Sequence, residues 1–126
     1  MIEIYGISYI YVGFNANMNY KLNFSPSQHH QSQIREWLIE ENENTGEGFL
    51  CNWSVISKAF NENRVITFME KDFPIGFLVY RKSELILNIV IAEMKPSHRR
   101  RGIGKLLINE ALEKFKNQGI LVSELS

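Results

Sequence analysis

The sequence contains a single cysteine and no excess of charge of either sign. Cys51 has no second cysteine with which to form an internal disulfide, and a lone thiol is typical of proteins in a reducing compartment. Lysine plus arginine and aspartate plus glutamate are equal at 14 each, so the overall charge predicts no polyanionic partner such as nucleic acid.

Long hydrophobic runs are missing as well. No stretch approaches the roughly 20 apolar residues that a membrane helix needs. The first six residues, Met-Ile-Glu-Ile-Tyr-Gly, carry no basic leader, so we expect no secretion signal. The sequence thus predicts a cytoplasmic protein without membrane contact.

The chain does contain enough apolar residues for a core. Hydrophobic residues make up 44% and aromatic residues 12% of its 126 residues, which predicts one globular domain over residues 1–126. The charges are unevenly placed along it. Acidic residues collect at Glu36, Glu40, Glu41, Glu43 and Glu47, and basic residues at Lys95, Arg99, Arg100, Arg101 and Lys105.

The first half of the chain predicts two strands and two helices. Residues 2–14 are rich in β-branched and aromatic types, and a turn at residues 15–19 separates them from a short strand over residues 20–24. Ser25 as N-cap and Pro26 at the first helical position predict a helix, which we expect to end near Glu41. A second, shorter helix is expected over residues 53–60.

Three strand-like runs follow at residues 64–69, 75–80 and 85–94. The short polar segments 71–74 and 81–84 separate them as tight turns, so we expect these strands to be antiparallel neighbours. Residues 85–92 of the third run are apolar at both parities except at Asn88, which predicts a strand covered on both faces.

A basic, glycine-containing turn over residues 94–105 leads from this strand into an amphipathic helix that ends at Gly119. Residues 120–122 begin another strand, which the helical crossover would make parallel to the earlier one. Backbone N–H groups, glycines and cations at a helix start favour the binding of a polyanion such as a pyrophosphate.

The spacing of this turn excludes two common phosphate motifs. It lacks the P-loop pattern, and the third glycine of a dinucleotide fingerprint is replaced by Leu107. The turn fits Val-x-Pro-x-x-Arg/Gln-x-x-Gly-x-Gly/Ala, with Met94 in the valine position, and it resembles the cofactor motif of the GNAT acetyltransferase superfamily. The motif resemblance covers residues 94–112, and the order of elements matches over residues 20–126.

The resemblance implies a mixed α/β fold: a mostly antiparallel sheet flanked by helices, with a parallel strand pair around the cofactor cleft. It also implies that acetyl-CoA is the co-substrate, with its two phosphates bound by backbone N–H groups. Met94 would lie near the thioester, where a backbone donor stabilises the developing oxyanion. The implied cofactor-binding residues are Met94, Arg99, Arg100, Arg101, Gly102, Ile103, Gly104 and Lys105.

Other interpretations of the basic and histidine residues remain open. The cations at residues 99–105 also suit solvated side chains around a structural turn, whereas a nucleic-acid patch would leave the glycines unexplained. His29 and His30 are adjacent on a helix and point in different directions, so we expect no metal site.

Catalytic residues are harder to assign. Members of the superfamily often carry a glutamate on the strand before the motif, and the aligned positions here are Asn88 and Val90. Asn88 also suits a hydrogen-bonded core residue. Glu93 is the other weak candidate, but simple alternation predicts that its side chain faces elsewhere. The general base is unassigned at this stage, and a water chain is an alternative.

The superfamily usually continues with a further helix, two strands and a tyrosine that protonates the thiolate. We therefore expect the domain to be incomplete at its C-terminus: the ordered part of a longer protein, a truncation, or a fold completed by a second subunit. An exposed final strand would favour a homodimer through this edge.

Two functions follow from these observations. The first is an N-acetyltransferase that transfers acetyl directly to a primary amine of a small molecule or a protein. The acidic cluster at residues 40–47 indicates either a cationic acceptor or a solvated loop. The alternative function is a catalytically weak or inactive module that binds coenzyme A or another protein.

Overall fold

A computed structural model describes residues 9–15 and 18–123, with side chains from residue 20 to residue 122. In this part of the chain, six strands form one sheet in the order of the sequence. The strands are β1 (Tyr9–Asn15), β2 (Met18–Asn23), β3 (Val65–Glu70), β4 (Phe73–Ser83), β5 (Ile86–Met94) and β6 (Leu121–Ser123), and the α-helices are α1 (Gln28–Thr45), α2 (Trp53–Asn61) and α3 (Ile103–Asn117).

The sheet is mixed, as the sequence predicts. Strands β1 to β5 are paired antiparallel, and β5 and β6 form one parallel pair because α3 carries the chain back across the sheet. Helices flank the sheet. The predicted mixed, mostly antiparallel architecture with a single parallel pair is thus confirmed.

The two faces of the sheet carry separate cores. On one face, which we call the α3 face, Leu107 and Phe115 pack with Leu78 and other buried residues of the sheet. On the opposite face, the α1/α2 face, Trp37 and Ile56 belong to a second buried cluster. Burial of each such side chain contributes about 1.5–3 kcal/mol to folding.

The start of α1 differs from the prediction. Its N-cap is Ser27, not Ser25, because the Ser27 hydroxyl accepts a hydrogen bond from the His30 backbone N–H, and the His30 side chain accepts one from the Ser27 N–H. This reciprocal arrangement is a capping box that uses histidine in place of the usual glutamate or glutamine. The backbone N–H of Ser25 instead donates to Asn23 Oδ1.

The end of α1 also differs. The helix continues past Glu41 to Thr45 and stops where Gly46 adopts a left-handed conformation with φ of 70°. In this last, exposed turn the Thr45 hydroxyl donates to Glu41 O at 2.8 Å, and Glu41 itself is buried on the packed side of the helix.

Two expectations for the strands are corrected. Strand β4 is longer than predicted and includes residues 73–74 and 81–83, so the turns on either side of it are shorter. Strand β5 is not covered on both faces, since Ile86 is 44% exposed and Ala92 is also exposed. Residues 2–8 of the strand predicted at 2–14 and residues 16–17 of the predicted turn lie outside the described residues.

A bulge interrupts the pairing of β4 with β5. Val79 pairs with Ile91 and Tyr80 with Ile89, so Val90 is the extra residue on β5. A single inserted residue reverses the alternation of side chains beyond it. Asn88, before the bulge, and Glu93, after it, consequently point to the same face of the sheet.

Candidate active site

The turn between β5 and α3 has two left-handed residues, one on each side of Arg101. Pro96–His98 form a short 3-10 helix, after which Arg100 has φ of 63° and Gly102 has φ of 74°. Gly102 is the N-cap of α3 and supplies no side chain to cap it. Glycine suits this position because left-handed backbone carries little strain without a Cβ atom.

These conformations leave a series of backbone donors unused. Over the described part of the chain, none of the six N–H groups from Arg100 to Lys105 donates to a protein acceptor, and the helical ladder begins with Leu106 N–H bonded to Gly102 O. The first turn of α3 also contains no acidic residue. Such a row of donors at the positive end of a helix dipole is suited to an anion.

Position 104 requires glycine for a different reason, namely a lack of space. A Cβ atom built on Gly104 would lie 2.8 Å from Met94 Cγ, and one built on Gly76 would lie 2.5 Å from Met94 Sδ. Met94 is buried and fills the space between β4 and the first turn of α3. Met94 at the end of β5 thus lies against Gly104, whereas Gly102 has open space around it.

The side chain of Arg99 points into the protein rather than out of the turn. Its Nε donates to Met94 O at 2.9 Å, and its Nη2 lies 2.9 Å from Glu41 Oε2 and 3.0 Å from Glu93 Oε1. One guanidinium therefore connects the end of β5, the turn and α1. Phosphate binding through the Arg99 side chain stays a prediction, and the structure gives that side chain these three partners.

Glu41 is the residue of this network that sequence reasoning missed. The sequence places it in the acidic cluster at residues 40–47, but its side chain is only 7% exposed. A signal was available: Glu41 follows Ile34, Trp37 and Leu38 at helical spacing, on the same buried stripe of α1.

Glu93 lies on the α1/α2 face, and the expectation that it faces away from Asn88 is wrong because of the bulge at Val90. Its Oε1 accepts a hydrogen bond from the Met94 N–H at 3.1 Å. Burial raises the pKa of Glu93 above its usual 4.5, and the nearby charge of Arg99 opposes this rise. The Met94 N–H, which the resemblance associates with the oxyanion, is therefore occupied by Glu93 here.

Asn88 lies on β5, between two neighbouring strands of the sheet. It pairs with Arg81 of β4 on one side and with Ser123 of β6 on the other, and it is half-buried. Its carboxamide does not ionise near neutral pH, so it can orient a substrate by hydrogen bonding but cannot act as a general base.

Strand β5 connects Asn88 with the turn. Among the described residues, β6 pairs with β5 at residues 86–88, and β5 continues to Met94, where the chain enters the turn before α3. A group bound along this part of β5 would therefore end at the row of free N–H groups.

The remaining candidate residues lie away from this region. Ring centroids of His29 and His30 are 6.3 Å apart at the start of α1, and no cluster of three metal-binding side chains occurs among the described residues. Cys51 is exposed, with its thiol near Asn52 Oδ1. No helix in the described ranges is long and apolar enough to cross a membrane.

Comparisons with known proteins identify a family and a shared fold. The model of the Acetyltransferase (GNAT) family matches residues 20–125. Among solved structures, the PaiA N-acetyltransferase of Thermoplasma acidophilum in complex with coenzyme A aligns with a TM-score of 0.62 and 17% identity, over 80% of this chain and 74% of that chain.

A GNAT family acetyltransferase of Brucella melitensis in complex with acetyl-CoA aligns with a TM-score of 0.66 and 12% identity, over 85% of this chain and 75% of that chain. No curated protein matches the sequence. At such low identities the solved structures show the shared fold, while the family model covers most of the chain. The chain belongs to the GNAT acetyltransferase family.

Proposed function

We propose that this protein is an N-acetyltransferase that uses acetyl-CoA to acetylate a primary amine by direct transfer. The observation that carries the proposal is the row of six N–H groups at residues 100–105, which have no acceptor among the described residues and follow the end of β5. The pyrophosphate of acetyl-CoA would bind these donors, and its pantetheine arm would extend along β5. The exposed side chains of Arg100, Arg101 and Lys105 would add positive charge.

In the proposed reaction, the amine nitrogen loses a proton and attacks the thioester carbonyl carbon. A C–N bond forms, the C–S bond breaks, and the thiolate of coenzyme A takes up a proton. Because an alkylammonium has a pKa near ~10, a base is needed to form the neutral amine.

Glu93 is the base that we propose. It lies on the α1/α2 face with Asn88, and burial raises its pKa towards the range in which carboxylates accept protons efficiently. Asn88 would orient the amine through its amide group, and because Glu93 lies five residues further along β5, water molecules would carry the proton from the amine to Glu93. We assign no oxyanion donor to Met94, since its N–H donates to Glu93.

The alternative function is a domain that binds coenzyme A without catalysis. It is favoured by the absence of a carboxylate at Asn88 and Val90, where the superfamily often carries a glutamate.

A homodimer through β6 also remains a proposal; it is supported by Leu121, which is 68% exposed at the described edge of the sheet. A cytoplasmic location stays a prediction based on the single cysteine.

Release of coenzyme A from acetyl-CoA distinguishes the two functions. We expect thiol release that depends on an added primary amine, and a Glu93→Gln variant that lowers kcat by about 10²–10⁴-fold without changing acetyl-CoA affinity. Exposed Glu110 provides the control, since Glu110→Gln should leave kcat unchanged. Binding of acetyl-CoA without release for any amine would support the alternative.

A further inference from the structure

A basic cavity adjoins the candidate site on the α1/α2 face. It has a volume of about 580 Å³ and lies between α2 and the last residues of β4. Four of its lining residues are cations: Lys58, Arg64, Arg81 and Lys82. The cavity therefore combines enough space for a small molecule with a concentration of positive charge.

The single carboxylate that lines the cavity does not neutralise it. Glu62 is paired with Arg64, whose Nη2 lies 2.6 Å from Glu62 Oε1. No ion pair involving Lys58, Arg81 or Lys82 is found among residues 20–122. Within that range, three cations of the cavity thus have no carboxylate within ion-pair distance.

Arg64 is a fixed element of the cavity wall. Its Nε and Nη2 both donate to Glu62, and its Nη1 donates to Tyr80 O at 2.9 Å. A guanidinium has five N–H donors, so these three bonds leave two for a ligand. A half-buried guanidinium held in this way loses little conformational entropy when it binds an anion.

The position of Arg81 connects the cavity with the candidate site. Arg81 pairs directly with Asn88 across β4 and β5, and directly paired residues present their side chains on the same face, with Cβ atoms about 5 Å apart. An amine placed at Asn88 would therefore have the rest of its molecule next to the cavity.

We propose that the acceptor is a small amine that carries an anionic group, a carboxylate or a phosphate, and that this cavity binds the anion. This inference rests on the proposed acetyltransferase function and names the substrate class of the same site. An anionic acceptor is the opposite of the cationic acceptor that the acidic cluster at residues 40–47 suggests. In that cluster Glu41 is paired with Arg99, and the other glutamates are exposed to solvent.

Three amines of equal length test the proposal: 4-aminobutyrate, its amide, and 1,4-diaminobutane. They end in a carboxylate, a neutral amide and an ammonium group. We expect kcat/KM for 4-aminobutyrate to exceed both others by about tenfold or more, the size of one charge-assisted hydrogen bond. A fourth amine, 3-aminopropyl phosphate, tests which anion fits better.

Variants locate the effect in the cavity. Arg81→Gln should raise KM for 4-aminobutyrate about tenfold. The KM for the amide and the affinity for acetyl-CoA should remain unchanged. Lys116→Gln is the control. It removes an exposed cation of α3 that lies near Glu113, and it should leave the KM for 4-aminobutyrate unchanged.

The outcomes separate this inference from the function on which it rests. Equal or better use of the amide or the diamine overturns the anionic acceptor and leaves the acetyltransferase intact. If no amine releases coenzyme A, NMR titration with 4-aminobutyrate tests the cavity separately. Chemical-shift changes that are lost in Arg81→Gln would support anion binding in the cavity without the acetyltransferase function. No chemical-shift changes would overturn both the anion site and the function.

Discussion

The Arg99 guanidinium lies 2.9 Å from the Glu41 carboxylate, and this ion pair joins α1 to the turn before α3. The two residues are 58 positions apart in the sequence. Arg99 is also bonded to Met94 O, so one side chain fixes the turn relative to both β5 and α1. The geometry of the unpaired N–H groups that follow thus depends on a residue of α1.

Replacing Glu41 should weaken the fold measurably. Glu41→Ala removes the buried partner of Arg99, and we expect the free energy of unfolding to fall by about 1.5–3 kcal/mol. Glu40→Ala is the matched control, because Glu40 is the exposed neighbour on the same helix. Urea denaturation measures both, and equal effects would show that the ion pair does not stabilise the turn.

Gly104 and Met94 should be coupled energetically. Gly104→Ala places a Cβ atom 2.8 Å from Met94 Cγ, so we expect a loss of about 1–3 kcal/mol in the free energy of unfolding. In a Met94→Ala background the contact is absent, and the same substitution should cost much less. A double-mutant cycle by denaturation tests this, and simple additivity would contradict the packing described.

The start of α1 offers a direct comparison of two serines. Ser27→Ala removes the hydroxyl that accepts from His30 N–H, and should lower the free energy of unfolding by about 1 kcal/mol. Ser25→Ala should have little effect, since only the backbone N–H of Ser25 is bonded in the structure. Thermal unfolding measures both variants. A larger loss of stability in Ser25→Ala than in Ser27→Ala would show that Ser25 is the N-cap.

Much of the fold could be predicted from the sequence, because apolar periodicity and turn residues are local signals. The capping serine could not, since Ser25-Pro26 and Ser27 are both compatible with a helix start. Only the reciprocal bonds between Ser27 and His30 decide between them.

The candidate site shows a second limit. The turn at residues 94–105 is contiguous and could be recognised, but the face of Glu93 depends on a bulge at Val90 that no local pattern marks. Its ion-pair network depends on a distant helix. Contacts between distant segments are set by packing of the whole sheet and are not encoded in a short pattern.

The free energy of unfolding should depend on pH through Glu93. Burial raises the pKa of this carboxyl above 4.5, so the folded protein retains a proton that the unfolded chain has lost. Unfolding then releases a proton, and stability falls as pH rises from about 4.5 through the raised pKa. Arg99 and Glu41 face the same carboxyl and modulate this shift.

Urea denaturation from about pH 4 to about pH 7 measures this dependence. Glu93→Gln has no ionisable group at this position, so we expect its stability to fall less over the same range than that of the unmodified protein. Glu110→Gln is the control for removing an exposed carboxylate. Identical pH profiles for all three proteins would exclude a raised pKa at Glu93.

The central claim is that the turn at residues 100–105 binds the phosphates of acetyl-CoA. Calorimetric titration of acetyl-CoA into the unmodified protein, Gly102→Glu and Gly119→Glu tests it most directly. Both glycines have left-handed backbones with open space around them, so the two variants introduce the same charge and similar strain at opposite ends of α3. With the fold checked by circular dichroism, we expect binding to be lost in Gly102→Glu and retained in Gly119→Glu. No binding by the unmodified protein at millimolar acetyl-CoA, or equal affinities for the two variants, would contradict the claim.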